Sequence, residues 1–117
     1  MIRSFLVTAV AALLFASCSE HSPKTLGTAV QGGAIPIASA QQIKVNSEVI
    51  LHGTMIEKCP VAGCWFILQD PTGTIKVDTK NAGFVVVEVP INTSLAVAGR
   101  VTTNGAERII DAIGVRY

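Results

Sequence analysis

The sequence has little with which to hold a polyanion. Nine Lys and Arg stand against eight Asp and Glu, with no block of one sign. Residues 44–117 carry seven of each. Nucleic-acid affinity comes largely from neutralised phosphates, so an oligonucleotide partner is not expected. Histidine occurs only at His21 and His52, and cysteine only at Cys18, Cys59 and Cys64. That leaves no second Cys or His pair at zinc-finger spacing. Glu57, Asp78 and Asp111 are scattered without acid–base pairing. A Gly-rich phosphate loop, a nucleophile elbow and a Ser-His-Asp ordering are all missing, so no catalysis is expected. Internal repeats are absent, and beyond the leader no stretch has a persuasive helical period.

What is present begins with MIRSFLVTAVAALLFASC, residues 1–18. Arg3 supplies a short positive region, and Phe5 to Phe15 form an apolar run interrupted only by Thr8. The run is too short for a permanent span of ~20 residues, and has the layout of an export signal. The ending LFASC resembles the lipobox of bacterial lipoproteins, which implies a signal peptide at 1–17 and lipidation of Cys18. Each buried methylene of such an anchor contributes about 0.8 kcal/mol. Ser19 at the next position implies, by the same resemblance, the outer membrane. The expected location is the cell envelope, facing the periplasm. Loss of Arg3 with the leader leaves eight basic residues against eight acidic ones.

Residues 18–43 are rich in Ser, Thr, Gly, Pro and Gln, and their apolar residues follow no period. They are expected to form a flexible tether, with the folded domain at 44–117. Beyond Ile43 the chain is written in β-formers. KVNSEVILHGTMIEK, residues 44–58, reads as one long strand with a bulge or bend at Gly53. WFILQD and TIKVDTK flank a Pro-Thr-Gly turn opened by Asp70, whose expected role is an Asx-type hydrogen bond. FVVVEVPI, SLAVAGRVTT and ERIIDAIGVRY read as further strands, the last two joined by the tight turn at Asn104-Gly105. The pattern predicts an all-β fold, a small antiparallel barrel.

The string GTMIEKCPVAGCWFILQDPTGTIKVD, with AGRVTTNGAERIIDAIGVRY after it, resembles the OB-fold. Its CP-x-x-GCW block resembles a family of exported bacterial OB-fold proteins. The resemblance covers roughly residues 45–117 and implies a five-stranded barrel but no particular activity. The helix usual between strands three and four is absent, or reduced to the NAGF region. An OB barrel on a membrane anchor also suggests a haem chaperone, but the C-terminal GVRY offers no histidine for haem.

Cys59 and Cys64 are the candidate chemical centre. They lie at the end of one strand and the start of the next, and facing positions in a hairpin fall within disulfide range. A bridge closing so short a loop would contribute ~2 kcal/mol and would mainly shape the loop. The alternatives are a labile redox pair or a soft-metal site for copper or zinc, with His52 and Met55 as further ligand candidates. Those two sit at odd separation on one strand and point to opposite faces unless a bulge reverses the alternation. Trp65 either covers the end of the core or joins Phe66, Pro60 and Gly63 in a recognition surface, with Phe84 a further stacking candidate. The expected partners are the membrane, through the lipid, and an envelope protein or small ligand. No resident cofactor is expected unless the thiols hold a metal.

Overall fold

The computed structural model describes residues 22–117. The expected signal peptide at 1–17, with Cys18, Ser19 and His21, lies outside the described residues. The elements in chain order are β1 (Thr25–Gly27), α1 (Ile37–Ala40), β2 (Glu48–Lys58), β3 (Trp65–Asp70), β4 (Gly73–Asp78), β5 (Ser94–Asn104) and β6 (Glu107–Arg116).

Alternation of apolar residues builds the barrel. Leu51 and Met55 of β2, Phe66 and Leu68 of β3, and Ile75 and Val77 of β4 all point inward. Leu95, Val97 and Val101 of β5 meet them, with Ile110, Ala112 and Val115 of β6. β2 pairs with β3, β3 with β4, and β5 with both β2 and β6, all antiparallel. The remaining seam joins β4 to β6 in parallel, Val77 opposite Ile110, and closes the five strands into an OB barrel.

β2 serves two partners. Residues 48–54 pair with β5 and residues 54–58 with β3. The strand therefore turns a corner beside Gly53, as its glycine suggests. A Cβ at Gly53 would lie 2.4 Å from the carbonyl oxygen of Gln69, so glycine is needed there for backbone approach. The register shift itself falls later, between Met55 and Glu57.

Two expectations are corrected. Residues 25–43 do not form a tether, and the domain begins at Thr25 rather than Lys44. β1 pairs antiparallel with the end of β6, Leu26 opposite Val115. Val30 then packs on Ala96 and Ala98, the outward residues of β5, with Ile50 and Ile113 beside them. α1 buries Ile37 and Ala40 completely against the main core. These apolar residues lack a period because each plugs a different place on the barrel. The tether can apply only to residues ahead of Lys24.

The second correction concerns FVVVEVPI, which forms no strand. Val86 and Val89 turn inward while Val85 and Val87 remain exposed, and the Val89 amide donates to the Val86 carbonyl at 3.0 Å. The whole link 79–93 contains turns and irregular backbone only, so the helix usual at this place is absent.

Candidate functional site

The loop Cys59–Cys64 owes its shape to Gly63 and to the link packed behind it. The Cys59 amide donates to the Trp65 carbonyl at 3.0 Å, and the Gly63 amide to the Cys59 carbonyl at 3.2 Å. Gly63 has φ +59, in the left-handed region, and a Cβ there would lie 2.6 Å from the Val87 nitrogen. Its carbonyl accepts the Val86 amide at 2.8 Å and, more weakly, the hydroxyl of buried Thr79 at 3.5 Å. The Thr79 amide donates to the Cys64 carbonyl at 2.9 Å. Lys58 completes the clamp, its ammonium donating to the carbonyl of Val87 at 2.8 Å and to that of Val89.

This scaffold brings both thiols together. Cys59 and Cys64 are free and partly exposed, and the Cys64 side chain is near enough to help lower the pKa of the Cys59 sulfur. The amides of Ala62 and Val61 point at that sulfur and hold its pKa down to about 7. Partial burial opposes them, while the thiol and amide of Cys64 act in the same direction. Pro60, Val61 and Ala62 form the exposed tip.

The other candidate ligands are not brought to the pair. Met55 is wholly buried in the barrel core, whereas His52 is exposed on the outer face opposite Ala96. The register shift lies beyond both residues, so it cannot reverse their alternation. Among the described residues, no group of three or more His, Cys, Asp or Glu could hold a metal ion.

Trp65 and Phe66 separate by the same alternation. Phe66 is fully buried and belongs to no surface, which corrects its expected place in the recognition site. Trp65 does not cover the core. It faces outward on β3 with Ile67 and Gln69, next to Thr74, Lys76 and Asp78 of β4. The Lys76 ammonium stands 4.9 Å from the centre of the indole. Phe84 is half-buried against the core and lines a separate groove with Leu26 and Tyr117.

Several contributors escaped the sequence reading. Lys76 could have been found, because the turn pairs Ile67 with Lys76 and sets it diagonal to Trp65. Lys58 and Thr79 gave no signal, since their partners are backbone carbonyls of irregular segments, Val87 and Val89 for Lys58 and Gly63 and Cys64 for Thr79. Beyond Asp78 lies an open polar cleft of about 310 Å³ that includes Asn81, Thr102 and Asp111. The Asn81 amide donates to the Asp111 carboxylate there at 3.3 Å.

The model of the family described as "Bacterial OB fold (BOF) protein" matches residues 19–116. The chain belongs to the bacterial OB-fold family. Among solved structures, this bacterial OB-fold protein is similar to the hypothetical protein ygiW from E. coli, with a TM-score of 0.58 and 22% identity. That similarity covers 73% of this chain and 89% of the other, and it shows the fold alone. No curated protein matches the chain.

Proposed function

We propose that this bacterial OB-fold protein is an extracytoplasmic binding or accessory module, anchored through lipid on Cys18 and without catalysis of its own. The observation that carries the reading is the outward face of β3 and β4. Trp65 and Lys76 form a joined aromatic and cationic surface there, beside the Cys59–Cys64 loop. The corresponding face of OB barrels takes extended polymeric ligands. Balanced charge disfavours nucleic acid in this role, leaving an envelope protein or a small ligand. The leader at 1–17 and the LFASC ending support export and lipidation, and Ser19 supports the outer membrane.

Native mass spectrometry of the membrane-extracted full chain tests both halves. The expected result is a diacylglyceryl and N-acyl mass at Cys18, together with a ligand or protein that co-purifies. The Trp65→Ala/Lys76→Ala double variant should lose that companion. An unacylated chain in the soluble fraction would refute the anchor, and equal retention by the double variant would refute the face. A second reading, thiol-based metal or redox work, is favoured by the amides gathered around the Cys59 sulfur.

A further inference from the structure

We propose that Cys59 and Cys64 form a reversible dithiol–disulfide couple that exchanges with a disulfide of a partner protein, Cys59 attacking and Cys64 resolving. This deepens the second reading above and does not depend on the Trp65–Lys76 face.

Three observations support it. The first is an asymmetry within the pair. The backbone of Cys59 is held on both sides, its amide by the Trp65 carbonyl and its carbonyl by the Gly63 amide. The amides of Ala62, Val61 and Cys64, with the Cys64 side chain, lower the pKa of its sulfur. One sulfur is thus prepared as an anion while the other waits within reach. A thiol that titrates near ambient pH combines thiolate population with nucleophilicity, and Cys59 lies at about 7.

The second is the mechanical setting. Gly63, Thr79, Val86 and Lys58 fix the base of the loop, so the pair can close or open without moving the barrel. A bridge over so few residues adds little chain-entropy stabilisation, so the fold does not depend on keeping it.

The third is the surface around the pair. The exposed large apolar residues described in the chain are Ile56, Val61, Val85, Val87 and Ile91. All five lie on two segments, the end of β2 with its loop and the link 85–91. Those segments are stitched together by the Lys58–Val87, Gly63–Val86 and Met55–Asn92 hydrogen bonds. Val61, at the tip of the thiol loop, is 88% exposed. An apolar rim of this kind suits a polypeptide segment carrying the disulfide.

The electrons balance as follows. The Cys59 thiolate attacks one sulfur of the partner's disulfide, and the other sulfur leaves as a thiolate that takes up a proton. Cys64 then gives up its proton and attacks the Cys59 sulfur, releasing the second partner thiol. The partner gains two electrons from the pair and two protons, one from Cys64 and one from solvent, which had already taken the proton of Cys59. A dithiol donor reverses the sequence and restores the reduced pair.

The test uses the full chain with Cys18→Ser, so that only the loop thiols report, equilibrated anaerobically with reduced and oxidised glutathione. Acid quenching and mass analysis should show a reversible two-electron conversion of the pair. With Cys64→Ser added, a glutathione adduct should accumulate on Cys59, and Cys59→Ser should leave Cys64 largely unmodified. Iodoacetamide labelling of the chain with both loop thiols intact guards against misfolded variants. Cys59 should react first, with its rate rising to half-maximum near pH 7. A bridge that resists excess reduced glutathione would overturn the proposal. Equal reactivity of the two thiols, or a copper or zinc ion retained on them through purification, would do the same.

Discussion

Asp70 shows how one side chain can join segments that the sequence keeps far apart. Its carboxylate accepts the amides of Thr72 at 2.7 Å and Gly73 at 3.1 Å, which is the turn hydrogen bonding that Asp-Pro-Thr-Gly announces. It also accepts the amide of Ile37 at 2.9 Å, thirty-three residues away, and so caps the first turn of α1. That third bond was not legible, because residues 18–43 gave no periodic pattern to place against the barrel. Burial opposes the charge most strongly, but the Thr72 hydroxyl and the three amides together outweigh it and hold the pKa below the usual value. A depressed folded-state pKa means stabilisation that is complete above the unfolded carboxylate range and fades as pH falls through the folded value. Thermal stability should therefore fall on acidification below about pH 4. Asp70→Ala should cost about 1 kcal/mol near neutrality in urea unfolding and flatten that acid profile. An unchanged acid profile in the variant would show that the carboxylate does not bind these amides. Gly63 makes a second test at this scale. Gly63→Ala must hold an L-residue in a left-handed conformation, costing about 1–2 kcal/mol, and must push back Val87. Urea unfolding should show at least that loss, with faster amide exchange at Val86, whose hydrogen bond ends on the Gly63 carbonyl.

At the scale of elements, strands with one wet face announced themselves and segments that plug holes did not. Ile75 and Val77 alternate with Thr74, Lys76 and Asp78, so both the strand and its inward face could be read directly. β5 shows the limit of that reading. Leu95, Val97 and Val101 were legible as the inner row, but Ala96 and Ala98 are buried too, on the opposite face. Their cover is the segment around Val30, whose own carbonyl accepts Arg116 at 3.0 Å. FVVVEVPI failed for a related reason. β-branched residues favour extended backbone, but here two valines three apart fill the core while their neighbours stay exposed. Gly114 tests how the covering segment is held. A Cβ there would lie 1.9 Å from the Thr28 carbonyl oxygen, with no flexible side chain to yield. Gly114→Ala should lift residues 26–30 from β6 and leave the far side of the barrel in place. Hydrogen exchange should then accelerate at Thr28, whose amide donates to Ile113 at 2.9 Å, while amides of β3 and β4 keep their protection. Uniform loss of protection would mean instead that the segment and barrel unfold as one unit.

At the scale of the whole molecule, the five barrel strands, their turns and the OB rhythm were legible because each rests on local pattern. The thiol environment was only half legible. Spacing brought Cys59 and Cys64 together, but the amides on the Cys59 sulfur follow from Gly63 and from a link that looked like a strand. Charge can be read at both levels. The sequence is balanced, and the fold spends much of its positive charge on its own backbone. Lys58 holds the carbonyls of Val87 and Val89, Arg108 those of Ala40 and Ile43, and Arg116 that of Val30. Lys80 pairs with Asp78 at 3.5 Å and Arg100 with Glu48 at 3.2 Å, while Lys76 lies over Trp65. A single strand laid across β3 and β4 would find one stacking surface already covered by a lysine and, among the described residues, no basic groove to follow. Single-strand binders rely on repeated stacking together with such a groove, and their affinity falls steeply with salt. The full chain should accordingly give no electrophoretic shift with single-stranded oligonucleotides at physiological salt. Lowering the salt should produce at most a weak shift that Lys76→Ala barely changes. A tight complex whose affinity falls steeply with added salt, and which Trp65→Ala abolishes, would mean that the barrel uses its face for nucleic acid despite its charge.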